Sequence, residues 1–359
     1  MKVLLLCRYG PLGASSRVRM YQFLPALGAA GIEVTPAPLV DDQLLSHRYA
    51  VGRHARATLI ARYAARLRRL LDRRAFDVMW IEYELFPWLP VFVDLLFVRR
   101  APPVVLEYDD AVFEKYDGHA SPIVRAVLGG KHDRLMARAA AVVAGNEYLA
   151  QRARAAGAPI VVTLPSVVDT SLFVPAARPA GTPPIVGWIG SPTTARYLHL
   201  VEPVLAALTS AAAGRVTLVG VEPGAQRWSF ACEERRWHPE HEVADVQGFD
   251  VGIMPLPDDP WTRGKCGYKL VQYMACGIPV VASPVGANRA IVRDHIEGFL
   301  PDGDAAWTAS LGTLLADPAR RAEMGAAGRA RAVDAYAVHV VAPRLVEVLS
   351  AAAGAAARA

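Results

Sequence analysis

Short apolar runs recur along the chain between longer segments of mixed polarity, and this alternation predicts the architecture. Lys2–Cys7, Ile32–Pro36, Val78–Glu82, Val104–Glu107, Ala140–Ala144 and Ile160–Leu164 are short stretches dominated by Val, Ile, Leu and Ala. Runs of that kind read as strands buried on both faces of a parallel sheet. Pro175, Pro179, Gly181, Pro183 and Pro184 then punctuate the chain as a linker. The alternation resumes with Ile185–Ile189, Val216–Val219, Asp250–Leu256, Pro279–Ala282 and Gly298–Leu300, and the rest is helical in pattern. The expected fold is α/β, with Rossmann-like, doubly wound parallel sheets in domains 1–175 and 176–335 and a terminal helix in 336–359. A length of 359 residues suits two such domains.

Residues 53–74 carry the strongest helical amphipathicity. Leu59, Tyr63, Leu67 and Leu70 form one stripe, and Arg62, Arg66, Arg69 and Arg73 a second beside it. Two readings stay open. The helix packs on the sheet as an ordinary surface element, or its cations rest on anionic lipid, where each contributes ~1 kcal/mol. The apolar neighbourhood Trp88 to Phe97 suits the second, a peripheral membrane contact through helix 53–74.

The richest stretch is Arg263 to Val281. Gly264 and Gly267 predict an open turn, Tyr268–Ala275 a short helix, Gly277 its left-handed cap, and Pro279 the stop before a strand. Lys265, Lys269 and Gln272 are spaced to share one side of a helix. Only five of the 39 basic residues are lysines, and two stand four apart here. Compact ammonium groups beside glycine N–H groups at a helix start suit a diphosphate. The diphosphate-binding candidates are therefore Lys265, Cys266, Gly267, Tyr268, Lys269 and Gln272, with a solvated helix face as the alternative.

Other candidates lie where strands end. The first strand runs into Gly10–Arg17, placing Gly13, Arg17 and Arg19 at the ligand edge, or merely capping a helix through Ser15 or Ser16. Asp109 and Asp110 follow the fourth strand; one suits a general base and the other a cap for a helix over Ala111–Tyr116. His119 is a second-choice base. Gly190, Ser191 and Arg196 open a helix suited to an anion, with Ser191 capping as the plain reading. Asp258 or Asp259, just ahead of the lysines in sequence, could hold ligand hydroxyls. The aromatics of Trp228–Trp237 suit a base pocket or the core.

Gln272 through Gly286, followed by Asn288-Arg289 and Gly298-Phe299-Leu300, resembles the donor-binding segment of GT-B glycosyltransferases, nearest to family 4. Pro165 to Pro175 is similar to the segment closing the N-terminal domain of that family. The resemblance implies a GT-B fold with two domains facing a cleft and a last helix, Tyr336 through Leu349, crossing back to the first. It implies a nucleotide diphosphate sugar as donor, a basic residue on the diphosphate near Ser191 and Arg196, and a hydroxyl acceptor near Gly13 and Arg17. Two family glutamates have no counterpart: Gly264 stands at the first and Gln272 at the second, so the sugar contact and retaining stereochemistry do not carry over. The Lys-x-x-Gln spelling, Lys269 to Gln272, is similar to xanthan-type glucuronosyltransferases, which are inverting and take an aspartate of the N-terminal domain as base.

Composition narrows this further. The net charge of +5 is spread along the chain, which suits small anionic substrates and argues against a nucleic-acid partner. Cys7, Cys232, Cys266 and Cys276 lack metal-ligand spacing, and adjacent aspartates need not converge on one ion. Catalysis without an obligatory metal or cofactor is the expectation, with Lys265, Lys269 and helix N–H groups neutralising the diphosphate leaving group. The opening apolar run is too short for a signal peptide, so a cytoplasmic protein, on the inner face of the membrane where it meets lipid, is expected. Rival readings are a nucleotide-sugar epimerase or hydrolase on the same scaffold, and a degenerate glycosyltransferase serving as a binding subunit.

Overall fold

The computed structural model describes residues 1–51, 56–98, 102–177 and 183–356. The chain divides into two units. The first takes Met1–Val167, Gly264–Cys266 and Val338–Ala359; the second takes Val168–Arg263 and Gly267–Ala337. Pro179 and Gly181 of the expected linker lie outside the described residues.

The first unit is built on β1 (Lys2–Leu6), β2 (Glu33–Pro36), β3 (Val78–Glu82), β4 (Val104–Tyr108), β5 (Ala141–Ala144) and β6 (Val161–Thr163). All pair in parallel, in the order β2-β1-β3-β4-β5-β6. β3, β4 and β5 are buried along their whole length, which is why they read as unbroken apolar runs. Two charged residues break these runs, Glu82 at the end of β3 and, in β4, Glu107. It is sealed in the core and held by the buried Arg19, whose Nε lies 2.9 Å from its Oε1. Removing one partner from such a pair costs about 3–5 kcal/mol, because the other charge is then stranded. The helix expected after Gly13 is broken into Ala14–Arg19, a 3-10 turn Tyr21–Phe23, and Leu24–Ala29. Pro25 in the first turn of the last piece cannot donate to a preceding turn, so the helix restarts there.

The basic helix is Arg56–Leu71; residues 52–55 lie outside the described ones. Its arginines do not form one outward face. Arg66 is buried and donates to the carbonyls of Cys7 (2.6 Å) and Ala37 (3.0 Å). Arg73, just beyond the helix, is also buried and donates to the Leu70 carbonyl at 2.9 Å. Leu67 of the apolar stripe is exposed instead. A guanidinium with a long stem satisfies carbonyls at strand ends that an apolar side chain cannot reach. The terminal helix Val338–Ala356 places Val341, Leu345, Leu349 and Ala352 in the core of this unit beside Val3, Leu5 and Trp80.

The second unit has β7 (Ile185–Ile189), β8 (Arg215–Val219), β9 (Glu233–Arg235), β10 (Val251–Met254), β11 (Val280–Ala282) and β12 (Gly298–Phe299), also parallel. Their order, β12-β11-β10-β7-β8-β9, is that of two mononucleotide-binding halves back to back. β9 falls inside the unassigned Trp228–Trp237 stretch; its polar sequence, Glu-Glu-Arg, hides a short edge strand. In the same stretch the rings of Trp228 and Phe230 meet at 5.4 Å between centres and pack against the core. Two glycines in strands admit aromatic rings: Phe249 lies over Gly187 and Tyr273 over Gly252. The helix Tyr268–Ala275 matches the sequence reading residue for residue, and Gly277 turns the chain with φ +70°. Against its end packs the helix Pro318–Tyr336, whose Gly325 touches the Gly277 carbonyl with no room for a Cβ.

That contact sets a contrast within one unit. Gly325→Ala must push the two helices apart and should cost about 1–3 kcal/mol. Gly312→Ala, in the exposed face of the helix Asp304–Ala316 with nothing within 4 Å, should stabilise by about 0.5–1 kcal/mol. Thermal melts of the two variants should move in opposite directions.

Candidate active site

In an open parallel sheet, ligands sit at the carboxyl ends of strands where the strand order reverses. In the first unit that point lies between β1 and β3. Glu82, the last residue of β3, is buried and accepts from the Arg8 N–H at 2.6 Å and from the hydroxyls of Ser15 and Ser16. The serines therefore cap nothing; they anchor the loop after β1 to β3. Gly13 is the N-cap of the helix Ala14–Arg19, and a side chain there would run into the Tyr9 ring. Arg17 follows one turn on, its N–H on the Gly13 carbonyl at 2.8 Å. Arg19 faces inward to Glu107, so it is no part of a ligand surface.

The next strand, β4, delivers Asp109 and Asp110. The Tyr83 hydroxyl donates to Asp109 Oδ1. Lys265 Nζ stands 3.4 Å from Asp110 Oδ1. The Cys266 thiol donates to the Asp109 carbonyl at 3.1 Å, and Asn146 Nδ2 to the Lys265 carbonyl at 3.0 Å. Neither aspartate caps a helix: the next one is Glu114–Asp117, with Phe113 at its N-cap. Burial pushes the Asp109 carboxyl up to about 7, with the Asp110 and Glu82 carboxylates adding to it, while the Tyr83 bond and Arg19 oppose. Burial likewise keeps the Cys266 sulfur a thiol. Gly264 packs on Ala111, 2.6 Å from its backbone nitrogen to a hypothetical Cβ, so any side chain at that position would collide. The missing glutamate is thus a steric requirement of this loop. His119 is engaged elsewhere: its Nδ1 accepts from the Ser121 N–H at 3.0 Å and its ring meets Trp88 edge-on at 5.9 Å.

In the second unit the reversal lies between β7 and β10. β7 ends in Gly190, where a Cβ would meet the Trp188 ring. Ser191 caps the helix Pro192–Ala195, its N–H donating to Thr194 Oγ1 at 3.1 Å. Arg196 is exposed and lies over the Tyr197 ring, 5.0 Å from its centre. The expected face of Lys265, Lys269 and Gln272 is corrected. The helix starts at Tyr268 behind a left-handed Gly267 (φ +65°), so Lys265 precedes it and clusters with the first unit. Glycine is required at 267 twice over, since a Cβ would also strike Ile291. Lys269 Nζ lies 5.1 Å from the Trp188 ring centre, and the buried Gln272 donates to Glu242 Oε1 at 3.0 Å. Asp258 is paired with Arg263 at 2.6 Å, and Asp259 accepts the Thr262 N–H at 2.7 Å to cap Pro260–Arg263, so both carboxylates have local work. Among the described residues, no three His, Cys, Asp or Glu side chains gather as a metal site.

Tyr83, Glu82, Asn146, Trp188 and Glu242 contact the candidate residues or their loops, and sequence reading did not single them out. Each is defined by a partner 26 to 119 positions away or by a ring stacked across the sheet, and no local pattern marks them.

Comparison with known proteins bears on these two sheet edges. The glycosyl transferase 4-like domain matches residues 5–166, and the domain described as glycosyl transferases group 1 matches residues 183–317. The chain belongs to the group 1, family 4-like glycosyltransferases. Among curated relatives, a D-inositol 3-phosphate glycosyltransferase of Xylanimonas cellulosilytica is 35% identical over 37% of this chain and 32% of its own length. A GDP-mannose-dependent alpha-(1-6)-phosphatidylinositol monomannoside mannosyltransferase of Mycolicibacterium smegmatis is 42% identical over 28% of each chain. These alignments span about a third of the relatives' length. A structure of Anabaena Alr3699/HepE in complex with UDP-glucose superposes with a TM-score of 0.71 at 17% identity, over 98% of this chain and 100% of that one, which establishes the GT-B fold.

The raised Asp109 carboxyl has a consequence for stability. An unfolded aspartate ionises near pH 4, while the folded one holds its proton to about 7. Folding is therefore opposed progressively as pH rises through that window, and not below it. Asp109→Asn should be near neutral at pH 4 and more stable than the parent by roughly 1–3 kcal/mol at pH 8. Melting curves across pH check this; a difference that does not change with pH contradicts it.

Proposed function

We propose that this glycosyltransferase moves a sugar from a nucleoside diphosphate sugar to a hydroxyl acceptor, with inversion. The observation that carries the reading is Asp109: a carboxyl at the end of β4 that titrates near neutrality, in a chain whose other candidate, position 264, has no space for a side chain. In the proposed step Asp109 takes the proton from the acceptor hydroxyl. The freed oxygen pair forms the bond to the anomeric carbon, while the bond from that carbon to the diphosphate oxygen breaks and its electrons leave with the diphosphate. The donor rests on the second unit, with Gly190 and Ser191 at the end of β7, Lys269 in the first helical turn on the leaving diphosphate, and Gln272 with Glu242 on the sugar of the nucleoside. Asp110 holds Lys265, and Gly13 and Arg17 lie on the acceptor side. Positive side chains and backbone donors supply the charge stabilisation in this reading, so chelators should leave turnover intact.

Measured on a panel of UDP- and GDP-sugars with acceptor present, Asp109→Asn should lower kcat by about 10²–10⁴-fold and Lys269→Ala by about 10²–10³-fold. Activity of the parent should rise with pH through about 7, because the base works deprotonated. NMR of the product should show the inverted anomer. Sugar release without acceptor would favour a hydrolase, a new sugar on the nucleotide an epimerase, and nucleotide binding without turnover a binding subunit.

The acceptor is proposed to be lipid-linked, reached from the cytoplasmic face of the membrane. No helix among the described residues is long and apolar enough to cross a bilayer. Support comes from large apolar side chains on the surface of the first unit: Trp88, Phe92 and Leu96, with Ile60, Leu67 and Leu71 on the neighbouring basic helix. Exposed aromatic and aliphatic groups beside cations suit a lipid interface. The four unpaired cysteines suit a reducing compartment. Co-sedimentation with anionic vesicles should fall several-fold in Trp88→Ser/Phe92→Ser/Leu96→Ser, and more weakly with added salt.

A further inference from the structure

We infer that Tyr83 is a positioning residue for Asp109: its hydroxyl occupies Oδ1, fixes the rotation of the carboxylate, and leaves Oδ2 to receive the acceptor proton. The inference rests on the reading of Asp109 as base, and it concerns only residues of the first unit.

The backbone carries the first part of the argument. Tyr83 directly follows β3 and has φ +63°. A bulky L-residue in the left-handed region is strained, and such strain persists where surroundings over-determine it, often at functional sites. Here both backbone groups of Tyr83 are pinned. Its N–H donates to the Glu107 carbonyl at 3.0 Å, and its carbonyl accepts from the Tyr108 hydroxyl at 3.1 Å. Glycine or asparagine would relieve the strain, but neither carries a phenol. The reversed backbone at 83 ends the strand and directs the buried ring onto Asp109, with the Tyr108 ring edge-on at 5.7 Å as its wall.

The network behind it has one proton arrangement. Tyr108 has a single hydroxyl proton, committed to the Tyr83 carbonyl, so its contact with His132 Nδ1 at 3.0 Å requires the histidine to donate. Burial pushes His132 down to about 4, which keeps the ring neutral. The sequence His132 to Tyr108 to the Tyr83 carbonyl is thus a fixed chain of donors, and the Tyr83 hydroxyl points the remaining proton at Asp109. Burial and Asp109 itself drive the phenol far from ionising, so it donates a hydrogen bond and keeps its proton. The charged groups acting on Asp109 are Asp110 beside it, Glu82 from β3 and Arg19 from the first helix, while Lys265 is held on Asp110. Asp110 and Glu82 push its proton affinity up, and the Tyr83 hydrogen bond and Arg19 pull it down.

Tyr83→Phe keeps the ring and removes the donor. The acid limb of the kcat/KM profile should move up by about one to two pH units, since a hydrogen bond to the ionised form is lost. At pH 7, kcat should fall by about tenfold or more with the donor KM unchanged. A second measurement needs no substrate. The pH midpoint of the stability difference between the parent and Asp109→Asn is read once with Tyr83 in place and once with Tyr83→Phe in both proteins. It should move up by about half that interval, because only the folded carboxyl shifts while the unfolded one still ionises near pH 4. Tyr108→Phe, which loosens the Tyr83 carbonyl but leaves the phenol, should shift both midpoints in the same direction by less. Unchanged midpoints in Tyr83→Phe would overturn the inference. Full activity of Asp109→Asn would instead remove the base reading and the role of Tyr83 with it. The stability midpoint tells that failure from one in which Tyr83 does not govern Asp109.

Discussion

Asp109 is held between opposing influences. Burial and two neighbouring carboxylates resist its ionisation, and a phenol and a guanidinium favour it. A carboxylate in water ionises near pH 4 and is a poor base for a sugar hydroxyl; one lifted toward neutrality is far better matched to the task. The same lift opposes folding above pH 4, so the first unit carries a local instability at the point where chemistry is expected. The rest of that sheet is arranged around tolerating it. Glu82 is consumed by a backbone N–H and two serines, Glu107 by Arg19, and Asp110 by Lys265, so each neighbouring acid has its own partner.

The loop Gly264–Cys266 links this arrangement to the chain's most recognisable segment. Its backbone comes so close to Ala111 that glycine is enforced at 264, and its thiol satisfies the Asp109 carbonyl. The lack of a side chain at 264 is therefore fixed by the contact with Ala111. The helix that follows keeps its own work in the second unit: the ammonium of Lys269 over the indole of Trp188, and Gln272 on Glu242. Gln272 with an adjacent carboxylate places an amide and an acidic acceptor side by side.

Parallel strands buried on both faces are uniform apolar runs, so the two α/β halves, nearly every strand, and the helix Tyr268–Ala275 with its glycine stops are legible in the order of residues. Local patterning suffices for these because helix caps, β-branched runs and proline breaks act over a few residues. β9 escaped because an edge strand of Glu-Glu-Arg owes its conformation to its pairing with β8. The arginines near Arg56–Leu71 misled for a related reason. Periodicity reports that charges share a stripe, and only the packing shows that Arg66 and Arg73 spend their guanidiniums on buried carbonyls.

The tertiary structure alone decided the fate of the two lysines. Spacing suggested one cationic face, but Gly267 adopts a left-handed turn and Lys265 stays with β4 while Lys269 enters the helix. It alone showed that Tyr83, with nothing in its neighbourhood to mark it, turns off the end of β3 to reach a carboxylate 26 residues on, at the end of β4. A sequence encodes hydrophobic period and local stereochemistry directly. Which charged group meets which, and how dry the meeting place is, follow only once the strands are side by side.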